Sequence, residues 1–155
     1  MPRVGLGFDI HPFSDDPARR LVLGGVVLDG PGLAGHSDAD VVAHAVADAL
    51  LGAAGLGDLG TMFPADDPSL AGADSLVLLA RVVDAVTAAH DIGNVDASVV
   101  LEAPRLAPHR AVIELRLTAV VGAPVTVKPK RAEALGALGR REGVACFAVA
   151  LVGPR

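Results

Sequence analysis

Asp9 and His11 stand two residues apart in Gly7-Phe8-Asp9-Ile10-His11, where a short apolar run gives out. Strand side chains alternate faces, so a carboxylate and an imidazole at this spacing emerge on the same side. A second group, His36-Ser37-Asp38-Ala39-Asp40 followed by His44, reads as a helix start able to bring a third ligand to that pair. Two imidazoles and a carboxylate suit zinc, which is tetrahedral and in catalytic sites keeps one position for water or substrate. The same donors accept manganese, iron or cobalt. The competing explanation is ordinary: an Asp and a His at a strand end can satisfy loop amides, and a helix-flank His can be a hydrogen-bonded surface residue.

The elements that must position these residues follow from periodicity and punctuation. Residues 2–9 and 20–28 are short apolar runs bounded by Pro, Gly and Asp, and read as two strands that pair with each other. Asp29-Gly30-Pro31-Gly32 is a turn. Ser37 and Asp40 have capping-box spacing, which makes Ser37 the expected N-cap of a helix reaching about Ala53. Val41, Val42, Ala45, Val46, Ala49 and Leu50 give that helix its apolar face. Asp40, His44 and Asp48 fall at i,i+4 positions on a different face, so either Asp could receive the second ring N–H of His44.

Gly55 to Gly60 ends the helix, and residues 61–72 have the composition of a mobile surface loop. Helical spacing returns over 73–90, with His90 and Asp91 closing that helix. A strand through 95–101, a helix over 108–121 with Pro108 in its first turn, and a strand at 125–127 follow. Residues 128–143 form a basic, Gly-containing segment with one short helix near Glu133, before a last strand to about Val152. The order β-β-α-α-β-α-β-α-β favours a mixed sheet covered by helices, in one domain spanning 1–155.

The chain has 155 residues, 52% of them hydrophobic, which is ample for one core. Aromatics make up only 3%, with no Trp or Tyr, so that core must be aliphatic. A net charge of -5 argues against a nucleic-acid binder, whose footprint is a basic face. Lys128, Lys130, Arg131, Arg140 and Arg141 nevertheless gather locally, as a solvated loop or as a grip on a phosphate-bearing small ligand. Cys146 is the sole cysteine and sits in an apolar run, as a buried strand residue would. Neither a signal-like N-terminus nor a bilayer-length apolar run is seen, so a cytoplasmic protein without membrane partners is expected.

Seven ordered blocks resemble the 2-C-methyl-D-erythritol 2,4-cyclodiphosphate synthase family of non-mevalonate isoprenoid biosynthesis. They are Gly5 to His11, Gly35 to Asp40 with His44, Asp48 to Ala53, Gly57 to Gly60 with Phe63-Pro64, Gly93 to Asp96, Ala103 to Arg105, and Gly139 to Gly143. The resemblance implies an α/β (α+β) homotrimer of ferredoxin-like subunits with active sites between chains. It implies conversion of 4-diphosphocytidyl-2-C-methyl-D-erythritol 2-phosphate to the cyclic diphosphate with release of CMP. Asp9, His11 and His44 match the family's zinc ligands, and Glu133 matches the position tied to a second ion, Mg2+ or Mn2+. His36 and Ser37 match substrate contacts, with His36 also placed to stabilise the transition state. Asp58 and Gly60 match contacts to the methylerythritol part, and Phe63 to Asp67 a loop closing over it. Leu101, Arg105, Leu106 and Ala107 match the cytidine pocket, and Arg140 lies in the last matched block.

The chain departs from the family just before Glu133, where Lys130-Arg131-Ala132 replaces a Thr-rich run that contacts the cytidine diphosphate. Arg131 takes the place of a transition-state hydroxyl, so charge replaces a neutral donor. Ala65, Arg105 and Ala137 also replace usual residues. Two other readings stay open: a metal-dependent phosphohydrolase or cyclase with a different leaving group, and a non-catalytic trimer binding isoprenoid diphosphates.

Overall fold

The computed structural model describes residues 1–155. Its main sheet takes the order β1-β6-β4-β5, from β1 (Arg3–Pro12), β4 (His90–Val100), β5 (Val125–Lys130) and β6 (Gly143–Pro154). β6 runs antiparallel to both β1 and β4, while β4 and β5 are parallel. A parallel pair needs a crossover, and α4 (Arg110–Val121) supplies it. α1 (Val41–Ala54) and α3 (Ser75–Thr87) complete a layer over one face of the sheet. This is a single mixed α/β domain.

Helix and strand meet at backbone distance where β1 lies under α1. Gly5 and Gly7 alternate with outward Val4, Leu6 and Phe8, and are buried beneath Ala45, Ala49 and Ala53 at four-residue steps along α1. A Cβ on Gly5 would stand 2.0 Å from the carbonyl oxygen of Ala49, and one on Gly7 1.9 Å from that of Ala45. Only glycine fits at either point.

The segment expected as one strand over 20–28 is a hairpin, β2 (Arg20–Leu23) and β3 (Val26–Pro31). Its turn is Gly24-Gly25, both at positive φ (57° and 72°), the conformation a two-residue hairpin loop needs. β2 pairs with β3 and not with β1, whose partner is β6. The residues expected as a turn after 28 therefore largely belong to β3. His90 and Asp91 do not close α3; they open β4, because Ala88 already caps the helix.

The N-cap of α1 is Asp40, not Ser37. Its carboxylate accepts the backbone N–H groups of Val42 and Ala43, and also those of Gly24 and Gly25 at the hairpin turn. One side chain thus satisfies two orphan helix amides and two turn amides, which Ser37 could not do. Burial pushes this carboxyl up to about 6, against the pull of those N–H donors. α1 is buried nearly all round, so the separate polar face expected for Asp40, His44 and Asp48 does not exist.

Residues 61–72 are not irregular throughout: the end of α2 (Leu59–Met62) and a 3-10 turn (Pro68–Leu70) interrupt the stretch. The Gly72 N–H donates to His36 O, and the Asp38 N–H to Ala73 O. The short helix expected near Glu133 is α5 (Gly136–Gly139), while Glu133 and Ala134 take left-handed conformations. Cys146 is fully buried, as expected, opposite Asp9 in the β1/β6 register. No helix is long and apolar enough to cross a membrane.

The sheet face away from the helices is apolar and open. Val4, Leu6, Phe8 and Ile10 of β1 and Phe147, Val149 and Leu151 of β6 are exposed there, Leu6 at 67%, with the Phe8 and Phe147 rings 4.7 Å apart. On the covered face, Gly7→Ala is expected to cost about 3 kcal/mol by overpacking backbone against backbone, whereas Gly52→Ala, with nothing near its added Cβ, should stabilise or leave stability unchanged. Urea unfolding of the two variants checks this contrast.

Candidate metal centre and its pockets

Asp9 and His11 project from the helix-covered side of β1, and α1 delivers His44 to them. Asp9 Oδ2 lies 3.0 Å from His11 Nε2 and 2.9 Å from His44 Nδ1. The three donor atoms all fall within 4.8 Å of one another. Ligands at zinc distances sit roughly 3.4 Å apart around a tetrahedron, so this donor set fits a zinc-sized ion with small adjustments. The outward nitrogens are held too: His11 Nδ1 meets Ala34 O at 2.8 Å, and His44 Nε2 meets Ser75 Oγ at 2.9 Å and Ser37 Oγ at 3.2 Å. Each ring is thereby fixed with its other nitrogen toward Asp9, as metal-binding imidazoles usually are.

The charges support the same geometry. Burial tends to raise the Asp9 carboxyl, but hydrogen bonds from His11 and His44 outweigh it and hold Asp9 well below the usual carboxylate range. The Asp9 hydrogen bond raises His11 above its ordinary value, against partial burial. Neither Asp40 nor Asp48 receives the second N–H of His44. Asp40 serves the hairpin, and Asp48 accepts the Leu59 N–H at 3.0 Å, which fixes the start of α2.

A cavity of about 300 Å3 opens over the triad, with His36, Ser37, Gly60 and Phe63 in its wall. A neighbouring hollow shares Asp9, His44, Leu59 and Gly60 and adds Asp58. Asp58 caps α2 through the Thr61 N–H and hydroxyl. Phe63 is nearly buried, with the Arg81 guanidinium 4.8 Å over its ring. His36 Nε2 contacts Asp67 O at 2.8 Å, so His36 ties the 61–72 segment to the rim. The Asp67 side chain itself is occupied by Ser69.

A separate cavity of about 320 Å3 is lined by Leu101, Arg105, Leu106, Ala107, Lys130 and Arg131. It unites the two segments that the sequence assigned to a nucleotide, yet shares no lining residue with the triad cavity. Arg131 Nη2 donates to Glu102 at 2.8 Å, and the Ala134 N–H donates to the same carboxylate. Within one chain the structure therefore does not bring Arg131 to the triad. Glu133 and Ala132 line neither cavity, and Arg140 pairs with Glu142 at 2.6 Å. Sequence reasoning missed Ser75, Asp38 and Glu102. The Asp-Ser start of α3 was visible as a capping signal, but nothing local shows which residue it meets.

With this geometry in view, comparisons with known proteins carry the identity. The model of the YgbB family matches residues 2–153. The 2-C-methyl-D-erythritol 2,4-cyclodiphosphate synthase of Cupriavidus metallidurans is 49% identical over 155 residues, covering 97% of this chain and 91% of that protein. The bifunctional enzyme IspD/IspF of Anaeromyxobacter dehalogenans is 48% identical over 96% of this chain, which spans only 39% of that longer relative. A solved structure, IspF of Plasmodium falciparum in complex with CDP, superposes with a TM-score of 0.86 at 33% identity, covering 99% of this chain and 97% of that one. The chain belongs to the YgbB family, the family of the 2-C-methyl-D-erythritol 2,4-cyclodiphosphate synthases to which its sequence blocks are similar.

Proposed function

We propose that the protein converts 4-diphosphocytidyl-2-C-methyl-D-erythritol 2-phosphate into 2-C-methyl-D-erythritol 2,4-cyclodiphosphate and CMP, a cyclising phosphorus-oxygen lyase reaction. The observation that carries this reading is the Asp9, His11 and His44 cluster at the floor of a cavity, in a fold shared at full length with these synthases. A 2-phosphate oxygen attacks the β-phosphorus, the bond from that phosphorus to the bridging oxygen breaks, and CMP leaves with that oxygen. No protein nucleophile and no water are consumed. The task left to the protein is to hold two anions in line and answer the charge on the departing oxygen.

The triad would hold Zn2+ or another divalent transition ion, with Mg2+ or Mn2+ near Glu133, and such ions supply Lewis acidity and a template for phosphate oxygens. Around that point His36 and Ser37 present donors to the reacting phosphate. Asp58 and Gly60 meet the hydroxylated carbon chain, and Phe63 and Asp67 belong to the segment that covers it. Leu101, Arg105, Leu106 and Ala107 form the nucleobase end, while Lys130, Arg131, Ala132 and Arg140 face the diphosphate. The guanidinium of Arg131 has five N–H donors, and one is engaged with Glu102. Others stay available to a phosphate.

The subunit has ferredoxin-like layering, and we read the active assembly as a homotrimer with sites between chains. Two features support this. The nucleotide-type cavity and the triad cavity share no lining residue within a chain, as a site completed by a neighbouring subunit would have it. The exposed Leu6, Phe8, Ile10, Phe147 and Val149 face also needs cover.

Incubation with the cytidylated substrate, Zn2+ and Mg2+ should give cyclic diphosphate and CMP by mass spectrometry; inorganic phosphate in place of the cyclic product would indicate a phosphohydrolase. Asp9→Ala and His44→Ala are each expected to lose bound zinc and activity together while circular dichroism is retained, and full zinc occupancy in both would remove the ligand assignment. Because Asp9 raises the His11 proton affinity and zinc must displace that proton, zinc affinity should weaken as pH falls through the His11 titration, by roughly tenfold per pH unit for one displaced proton. Competition with a chelating dye across that range measures it. Leu6→Lys should yield monomers in sedimentation velocity where the unaltered protein gives trimers.

A further inference from the structure

The core admits four buried polar or charged residues, Ser37, Asp40, His44 and Ser75, and three of them meet at one imidazole nitrogen. Ser75, in the first turn of α3, is 1% exposed. Its hydroxyl oxygen lies 2.9 Å from His44 Nε2, and its O–H donates to Asp38 Oδ1. The direction of that donation is forced from the Asp38 side. Oδ1 also accepts the Asp40 N–H at 3.1 Å, and Oδ2 accepts the Ser75 N–H at 3.1 Å, so both carboxylate oxygens serve as acceptors.

A serine hydroxyl has a single proton. With that proton committed to Asp38, the 2.9 Å contact is favourable only when His44 Nε2–H donates to Ser75 Oγ. A bare Nε2 would set its lone pair against that of Ser75 Oγ at hydrogen-bond distance, in a buried site where water cannot relieve the conflict. The Nδ1–H that meets Asp9 without a cation is then the proton a cation displaces. Ser37 Oγ, which accepts the Ala39 N–H at 3.1 Å, gives the same nitrogen a second neighbour at 3.2 Å. We infer that Asp38 and Ser75 form a positioning relay that keeps a proton on His44 Nε2 and so directs Nδ1, as a ligand, toward the cation held with Asp9 and His11. The carbonyl of Ala34 performs the matching task for His11 through Nδ1. Ser75 and Asp38 line neither the triad cavity nor the hollow beside it; they act through His44.

The inference rests on the triad being a metal centre, and the test separates the two. Zinc affinity is measured by dye competition in the full-length protein, and the state of the His44 ring by 15N-detected imidazole spectra at one fixed pH. Ser75→Ala should raise the zinc dissociation constant about 10- to 100-fold and remove the hydrogen-bonded Nε2–H signal. Ser75→Thr, which keeps the hydroxyl, should stay near the unaltered protein in both readouts. Excess zinc should restore turnover to Ser75→Ala, since the relay sets ligand orientation and not the chemistry of the phosphate. A folded Ser75→Ala protein with unchanged zinc affinity and an unchanged His44 signal would overturn the relay while leaving the metal centre intact. If the unaltered protein fails to bind zinc, the metal centre and the relay fall together. Should Ser75→Ala not fold, Ser75→Cys keeps the volume, gives up the strong acceptor, and is judged by the same two readouts.

Discussion

The near-contact of the α1 backbone with β1 is the constraint from which the rest of the site follows. Gly5 and Gly7 carry no Cβ, and Ala45, Ala49 and Ala53 present the smallest side chains above them, so α1 settles onto the strand itself. His44 precedes Ala45, and Asp9 follows Gly7 on the same face of β1. An imidazole from the helix can reach a strand carboxylate at 2.9 Å because the two backbones are this close. A helix riding on larger residues would stand off by an ångström or more, and the three donors would no longer converge.

Around that contact the protein concentrates nearly all the polarity its interior tolerates. Asp40 ties the helix start to the Gly24-Gly25 turn, and Ser37, Ser75 and His44 share one hydrogen-bonded cluster beside it. Buried polar groups cost free energy unless partnered, and here each serves several partners at once. The remainder of the core is Val, Leu, Ile and Ala with one Phe and one Cys, as the scarcity of aromatics required. Rigidity where the ligands sit is therefore electrostatic and directional, whereas elsewhere it comes from aliphatic packing.

The strand-based half of the triad was legible in the sequence, since a two-residue period puts Asp9 and His11 on one face whatever else the chain does. His44 was legible as a helical residue, but its burial was not. An i,i+4 pattern of Asp40, His44 and Asp48 reads as a solvent face, and only the hairpin amides, α2 and α3 packed over it turn that face inward. The Gly24-Gly25 pair carried a hairpin signal inside what reads as a continuous apolar run. Asp40 took the cap from Ser37 because the turn amides lie within its reach, a fact of tertiary structure. Ser75 lies 31 positions from His44, a separation no local pattern spans. The nucleotide-type pocket was gathered as the blocks suggested, while Glu133, Ala132 and Arg140 line neither cavity within a single chain.

Cys146 lies beside Asp9, its register partner across the antiparallel β1/β6 pairing, on the same face of the sheet. A thiolate at that point would rival the carboxylate as a soft, tightly binding donor and would tilt the centre toward copper(I) or other thiophilic ions. Burial, together with the negative charges of Asp40 and Asp9, drives the thiol far up its titration scale and keeps it neutral. The consequence is a centre whose selectivity is guarded from the adjoining strand: nitrogen and oxygen alone make up its donor set, and the cysteine sulfur beside them is chemically silent.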